Sequence, residues 1–102
     1  MTISKRSFAD KEVVDLIGEL DINSALDFQH YVLQELEMIE NPKYIELNFA
    51  DVPYVDSSGL SALLTVWKEA EDKGVSLPLS NVSVDVVKLF EIVGMDELTI
   101  LD

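Results

Sequence analysis

Residues 54–61 read YVDSSGLS, and the reading of this stretch decides the fold. Before it, Tyr44–Phe49 has the β-branched and aromatic character of a strand; after it, Leu60, Leu63, Leu64 and Trp67 recur at steps of three and four, the buried stripe of a helix. The segment between them is therefore a strand-to-helix turn. Its Asp and Ser residues are common N-caps, which explains their presence without any chemistry. A second reading is that a hydroxyl is presented at a helix start, where the first amides have no intrahelical partner and the dipole favours negative charge. Composition favours the cap, and spacing alone leaves both readings open.

Working outward, Ile3–Phe8 and Val13–Leu20 are strand-like and are divided by Asp10-Lys11, which predicts an opening hairpin. Asn23 or Ser24 can cap a helix whose Ala25, Phe28, Val32, Leu36 and Ile39 form one apolar stripe, ended at Asn41-Pro42. On the C-terminal side, Gly74 is the expected stop of the second helix and Val75–Leu79 a short strand, weakened by Pro78 because proline cannot donate to a ladder. Ser83 is a cap for a third helix with Val86, Leu89, Phe90 and Val93 inward, closed by Gly94, and Leu98–Leu101 is a last strand. The order β-β-α-β-α-β-α-β predicts one α/β domain over residues 1–102, a mixed sheet whose later strands run parallel through right-handed helical crossovers.

Composition narrows the function. The chain has 102 residues, room for one domain, and 20 acidic against 7 basic residues give a net charge of −13. Such a surface repels a phosphate backbone, so neither nucleic acid nor an anionic membrane is an expected partner. No cysteine is present, which removes disulfides, thiolate catalysis and zinc-finger sites. Phe8-Ala9-Asp10-Lys11-Glu12 stands where a signal peptide would need an apolar run, and no apolar run approaches the roughly 20 residues that span a bilayer, so a cytoplasmic protein without direct membrane insertion is expected.

Catalytic classes fall away in turn. A serine hydrolase needs a base beside its nucleophile, and His30 sits mid-helix between Gln29 and Tyr31 with no motif around it; neither Ser57 nor Ser58 lies in a G-x-S-x-G elbow. Gly59 is isolated, with no G-x-x-x-x-G-K-[ST] loop to cradle phosphates. The carboxylates, including Glu35, Glu37 and Glu40 of the first helix, lack a Gly-turned calcium loop and read as a solvated face. No catalytic residue, metal or cofactor is expected.

Gly18-Glu19-Leu20-Asp21, then Leu47-Asn48-Phe49, then Val55-Asp56-Ser57-Ser58-Gly59-Leu60, in this order and spacing, resemble the STAS domain of bacterial anti-sigma-factor antagonists. Ser83 with Val87-Lys88-Leu89-Phe90 resembles the family's third helix, so the likeness covers nearly the whole chain. The DSSGL core is its most specific element. The resemblance implies a non-enzymatic signal-transduction protein in transcription regulation, whose serine after the aspartate is phosphorylated by a partner that is both anti-sigma factor and serine protein kinase, with a serine phosphatase reversing it. The matching residue is Ser57, with Asp21, Asp56, Ser58 and Gly59 around it. Two departures are visible: the chain stops just past the last strand, so the C-terminal helix of many members is expected to be absent, and Ser61 stands where a glycine often follows GL. Ala62 and Val66, off the predicted core stripe, are candidate partner contacts. A different role, also held by short STAS domains, is that of a cytoplasmic accessory subunit of a lipid ABC transporter, without a phosphoryl switch.

Overall fold

The structure is a computed structural model, and it describes residues 1–40, 43–95, 98, 100 and 101. Its elements follow the predicted order: β1 (Thr2–Ser7), β2 (Lys11–Ile17), α1 (Ala25–Met38), β3 (Tyr44–Asp51), α2 (Ser57–Lys73), β4 (Leu79–Ser80), α3 (Val84–Ile92) and β5 (Ile100–Leu101). The sheet order is β1-β2-β3-β4-β5, with β1 antiparallel to β2 and every later pair parallel. Each parallel step is bridged by a helix, and right-handed crossovers along a sheet built in one direction stack helices on one face. That face buries Val14 and Leu16 of β2, Ile45, Leu47 and Phe49 of β3 and Leu79 of β4 against Phe28, Val32 and Leu36 of α1, Leu63 and Val66 of α2, and Val86 and Phe90 of α3. The alternate residues form a mostly polar outer face, with Val13 buried beneath its side chains. There Arg6 donates two hydrogen bonds to Asp15, at 2.6 and 2.9 Å, and Lys11 pairs with Glu46 at 3.0 Å.

Several predicted boundaries move, each for a physical reason. The second strand ends at Ile17 rather than running to Leu20, because the chain turns at Gly18 (φ 115) and then rejoins the chain just past the end of β3 through a bridge from Leu20 to Val55. The fourth strand is Leu79–Ser80, not Val75–Leu79. Ser76 and Pro78 still run beside β3, accepting from the Ile45 and Leu47 amides at 3.2 and 2.9 Å, but Pro78 has no N–H to return. The last strand is Ile100–Leu101, preceded by a buried Leu98. The first helix ends at Met38, with Ile39 already extended, earlier than predicted; Asn41-Pro42, where its end was placed, lies outside the described residues.

The helix faces differ from the predicted stripes at single positions. In α1 the stripe from Ala25 to Leu36 is buried and Ile39 partly so; Glu35 joins it, its charge met by Lys5 at 2.7 Å. Ser24 stands at the N-cap position, but its hydroxyl does not cap. It donates to the Glu19 carbonyl at 2.7 Å and accepts from the Asp21 amide at 3.0 Å, tying up the turn that precedes the helix. In α2 the buried face is Gly59, Leu60, Ala62, Leu63, Val66 and Ala70, whereas Leu64 and Trp67 are half-buried. Ala62 and Val66, taken from the sequence as outward partner contacts, are 3% and 0% exposed and belong to the core. The face is rotated because Gly59, Ala62 and Ala70 have little side chain to hold the helix away from its neighbours. Gly74 ends α2 in the left-handed region (φ 70), as a C-terminal glycine does. In α3 Ser83 caps through its hydroxyl, accepting from the Val86 amide at 3.2 Å, but Val93 is the C-cap and is 48% exposed rather than inward.

Candidate functional site

The site lies where β2 and β3 end and α1 and α2 begin. Leu20 joins the two motifs of the sequence: its amide donates to the Tyr54 carbonyl at 2.9 Å, and its carbonyl accepts from the Asp56 amide at 3.1 Å. The chain leaving β3 is thus held in extended form up to Asp56. There it turns into α2, with Asp56 as N-cap.

Asp56 uses both carboxylate oxygens. Oδ1 accepts from the Gly59 amide of the first turn at 2.9 Å, and Oδ2 accepts from the Ile22 amide at 3.1 Å, across a sequence separation of 34. One side chain therefore satisfies an orphan amide of α2 and fastens the Gly18–Asp21 turn to it. Gly59 is required at close range, because a β-carbon there would stand 2.2 Å from the Leu20 carbonyl oxygen and 2.9 Å from Leu20 Cγ. No rotamer change relieves a contact with backbone.

The consequence falls on the serines. With Asp56 as cap, Ser57 and Ser58 are the first two helical residues, and neither hydroxyl is engaged in a hydrogen bond among the described residues. Ser57 is exposed and Ser58 partly so. Both line a cleft of about 400 Å³ between the starts of the two helices, with Ala25 and Ala62 as small residues from either side and Ile22 and Leu26 at its edge. Asp21 contributes differently from the expected phosphosite neighbour: its Oδ1 accepts from the Asn23 amide at 2.9 Å, so its carboxylate is used within its own turn.

Of the residues singled out from sequence, Asp56, Ser57, Ser58 and Gly59 come together at one helix start, Asp21 supports it from behind, and Val66 is remote from solvent. Sequence reasoning missed Leu20 as the backbone clamp, Ile22 as the amide donor, and Ile22 with Leu26 as apolar rim. The rim had a visible signal: both residues are apolar and off the inward stripe of α1. The clamp had none, since it is made by main-chain atoms. Among the described residues no group of His, Asp and Glu is arranged to hold a metal ion, and no helix is long and apolar enough to cross a membrane.

The STAS domain profile matches residues 6–101. The anti-sigma-B factor antagonist of Bacillus subtilis is 32% identical over 87 residues, spanning 83% of this chain and 75% of that protein. In three dimensions the chain is similar to a candidate anti-sigma factor antagonist of Thermotoga maritima, with TM-score 0.87 and 24% identity over 98% of this chain and 86% of that one. It is also similar to the phosphorylated form of the Bacillus cell fate determinant SpoIIAA, with TM-score 0.72 and 21% identity over 99% of this chain and 92% of that one. These two likenesses carry the fold. With the profile spanning nearly the whole chain and the Bacillus subtilis relative aligned along most of it, the chain belongs to the STAS domain family, among the anti-sigma-factor antagonists.

Proposed function

We propose that this protein is a non-enzymatic binding switch. Unphosphorylated, it binds an anti-sigma factor of the serine-kinase type; phosphorylation of Ser57 by that partner releases it, and a serine phosphatase resets the cycle. The observation that carries the reading is that Asp56, not a serine, caps α2. The Ser57 hydroxyl is thereby left exposed at the rim of a cleft and uncommitted to the fold. The names of the relatives point the same way.

Phosphorylation adds about −1.5 to −2 charges at pH 7. Placed among Ile22, Leu26 and the first turn of α2, that dianion must shed water before an apolar partner surface can close on it, a cost the neutral hydroxyl does not carry. The scaffold itself tolerates the charge, because the start of a helix is the favourable end for an anion. Control therefore acts on the interface and leaves the fold intact.

The test pairs two substitutions. Ser57→Ala holds the kinase-type partner constitutively, and Ser57→Asp binds it at least tenfold more weakly, the equivalent of about 1.4 kcal/mol. Incubation with the partner and ATP places phosphate on Ser57 by phosphopeptide mass spectrometry. Modification on Ser58 alone, or equal retention of lipid-transporter components by both variants, rules the switch out.

A further inference from the structure

The cleft beside Ser57 has an unpartnered apolar rim. Ile22 is 73% exposed and Leu26 66%, one before α1 and one in its first turn, and both line the cleft. Large apolar side chains gathered this close to a cleft mark an interaction surface more than scattered single ones do.

The charge distribution says what kind of surface fits. No lysine or arginine occurs between Lys11 and Lys43, or between Lys43 and Lys68. Four of the seven cations lie along β1 or at the N-terminal ends of β2 and β3, and each is already paired: Lys5 with Glu35, Arg6 with Asp15, Lys11 with Glu46 and Lys43 with Glu12. The opposite ends of the same parallel strands lead into Glu19, Asp21, Asp51 and Asp56 with no cation among them. The cleft thus opens on the negative pole of a molecule whose net charge is −13.

We infer that this pole docks a protein surface in which an apolar projection, seated against Ile22 and Leu26, is ringed by lysine or arginine side chains. The inference rests on the switch reading only for the identity of the natural partner. The two components act on different quantities. Basic groups facing the carboxylates of this pole steer encounter and give a salt-dependent association rate, whereas the apolar contact with Ile22 and Leu26 sets residence time. A phosphate on Ser57 falls beside Ile22 and Leu26 in the same cleft, where desolvation acts, so a basic ring on the partner does not convert release into attraction.

The experiment uses the isotope-labelled full chain and two designed helical peptides sharing one Leu/Trp face, flanked in one by lysines and in the other by glutamates. The lysine peptide shifts the amide resonances of Ile22, Leu26, Ser57 and Ser61, binds less tightly as salt is raised, and loses roughly tenfold in affinity with Ile22→Ser or Leu26→Ser, both at exposed positions that leave net charge unchanged. The glutamate peptide gives no such shifts. Shifts confined to another face, equal binding of the two peptides, or full affinity in both serine variants would overturn the inference. The partner retained by Ser57→Ala is then measured against the same variants. If Ser57 still switches that partner while Ile22→Ser and Leu26→Ser bind it as wild type does, the docking surface is wrong and the switch stands. If the peptide results hold but Ser57→Asp does not weaken the partner, the reverse is true.

Discussion

The carbonyl oxygen of Leu20 occupies the space that a β-carbon on residue 59 would need: the ideal position on Gly59 lies 2.2 Å from it. The first turn of α2 is therefore packed directly on the main chain that follows β2. That contact, with the Ile22 to Asp56 hydrogen bond beside it, makes one rigid unit of two motifs far apart in sequence.

Gly59→Ala tests the contact by sign as well as size. In a solvated helix the change stabilises by about 1 kcal/mol, through helix propensity. Here the added carbon meets backbone, and the expected result is destabilisation by about 1–3 kcal/mol, measured as a lower urea midpoint with an unchanged slope.

Asp56→Ala removes the cap of α2 and the acceptor of the Ile22 amide together. A loss of about 1–2 kcal/mol in stability is expected. Hydrogen exchange distinguishes this from a general loosening: the Gly59 and Ile22 amides lose protection first, while β2 and β3 amides such as Val14 and Leu47 keep theirs.

Asn48 of β3 links β2 to the turn that follows β4 on the outer face. Its Nδ2 donates to Asp15 Oδ1 at 2.8 Å, and its Oδ1 accepts from the Ala50 amide at 3.1 Å and from Asn81 Nδ2 at 2.9 Å, where Asn81 has a φ of 55. Asn48→Asp turns the donor facing Asp15 into a second carboxylate. It is expected to destabilise at neutral pH more than Asn48→Ala does, with the gap closing in acid, as followed by thermal unfolding at pH 7 and pH 4.

The acid limb of stability follows from Asp15. The hydrogen bond from Arg6 holds its carboxyl below the usual carboxylate range, helped by Asn48 and opposed by burial. Because the folded pKa is lower than the unfolded one, the unfolded chain binds more protons in between. The contribution is therefore complete above about pH 4, the ordinary aspartate value, and is lost as pH falls through the folded value. The stability difference between wild type and Arg6→Gln should be constant at neutral pH and shrink below about pH 4 in urea titrations. A difference that persists unchanged at pH 2 argues that Arg6 acts by packing alone.

The sequence by itself determined the element order, the parallel crossovers and the place of the serine pair, because those depend on local quantities: apolar periodicity, turn residues and a motif read within six positions. The third helix shows how far that reaches, with Ser83 capping and Val86 and Phe90 inward as their spacing required. The limits are equally particular. Ala62 and Val66 looked outward from the leucine spacing, yet α2 turns its small residues inward because close helix approach is governed by volume on both partners. Ser24 occupied a capping position but spent its hydroxyl on Glu19 and Asp21. Which residue caps α2, and so which hydroxyl is left free, was undecidable from D-S-S alone. In the fold Asp56 caps through the Gly59 amide, and its second oxygen is held by the Ile22 amide, 34 residues away, which meets it only once β2 and β3 lie side by side.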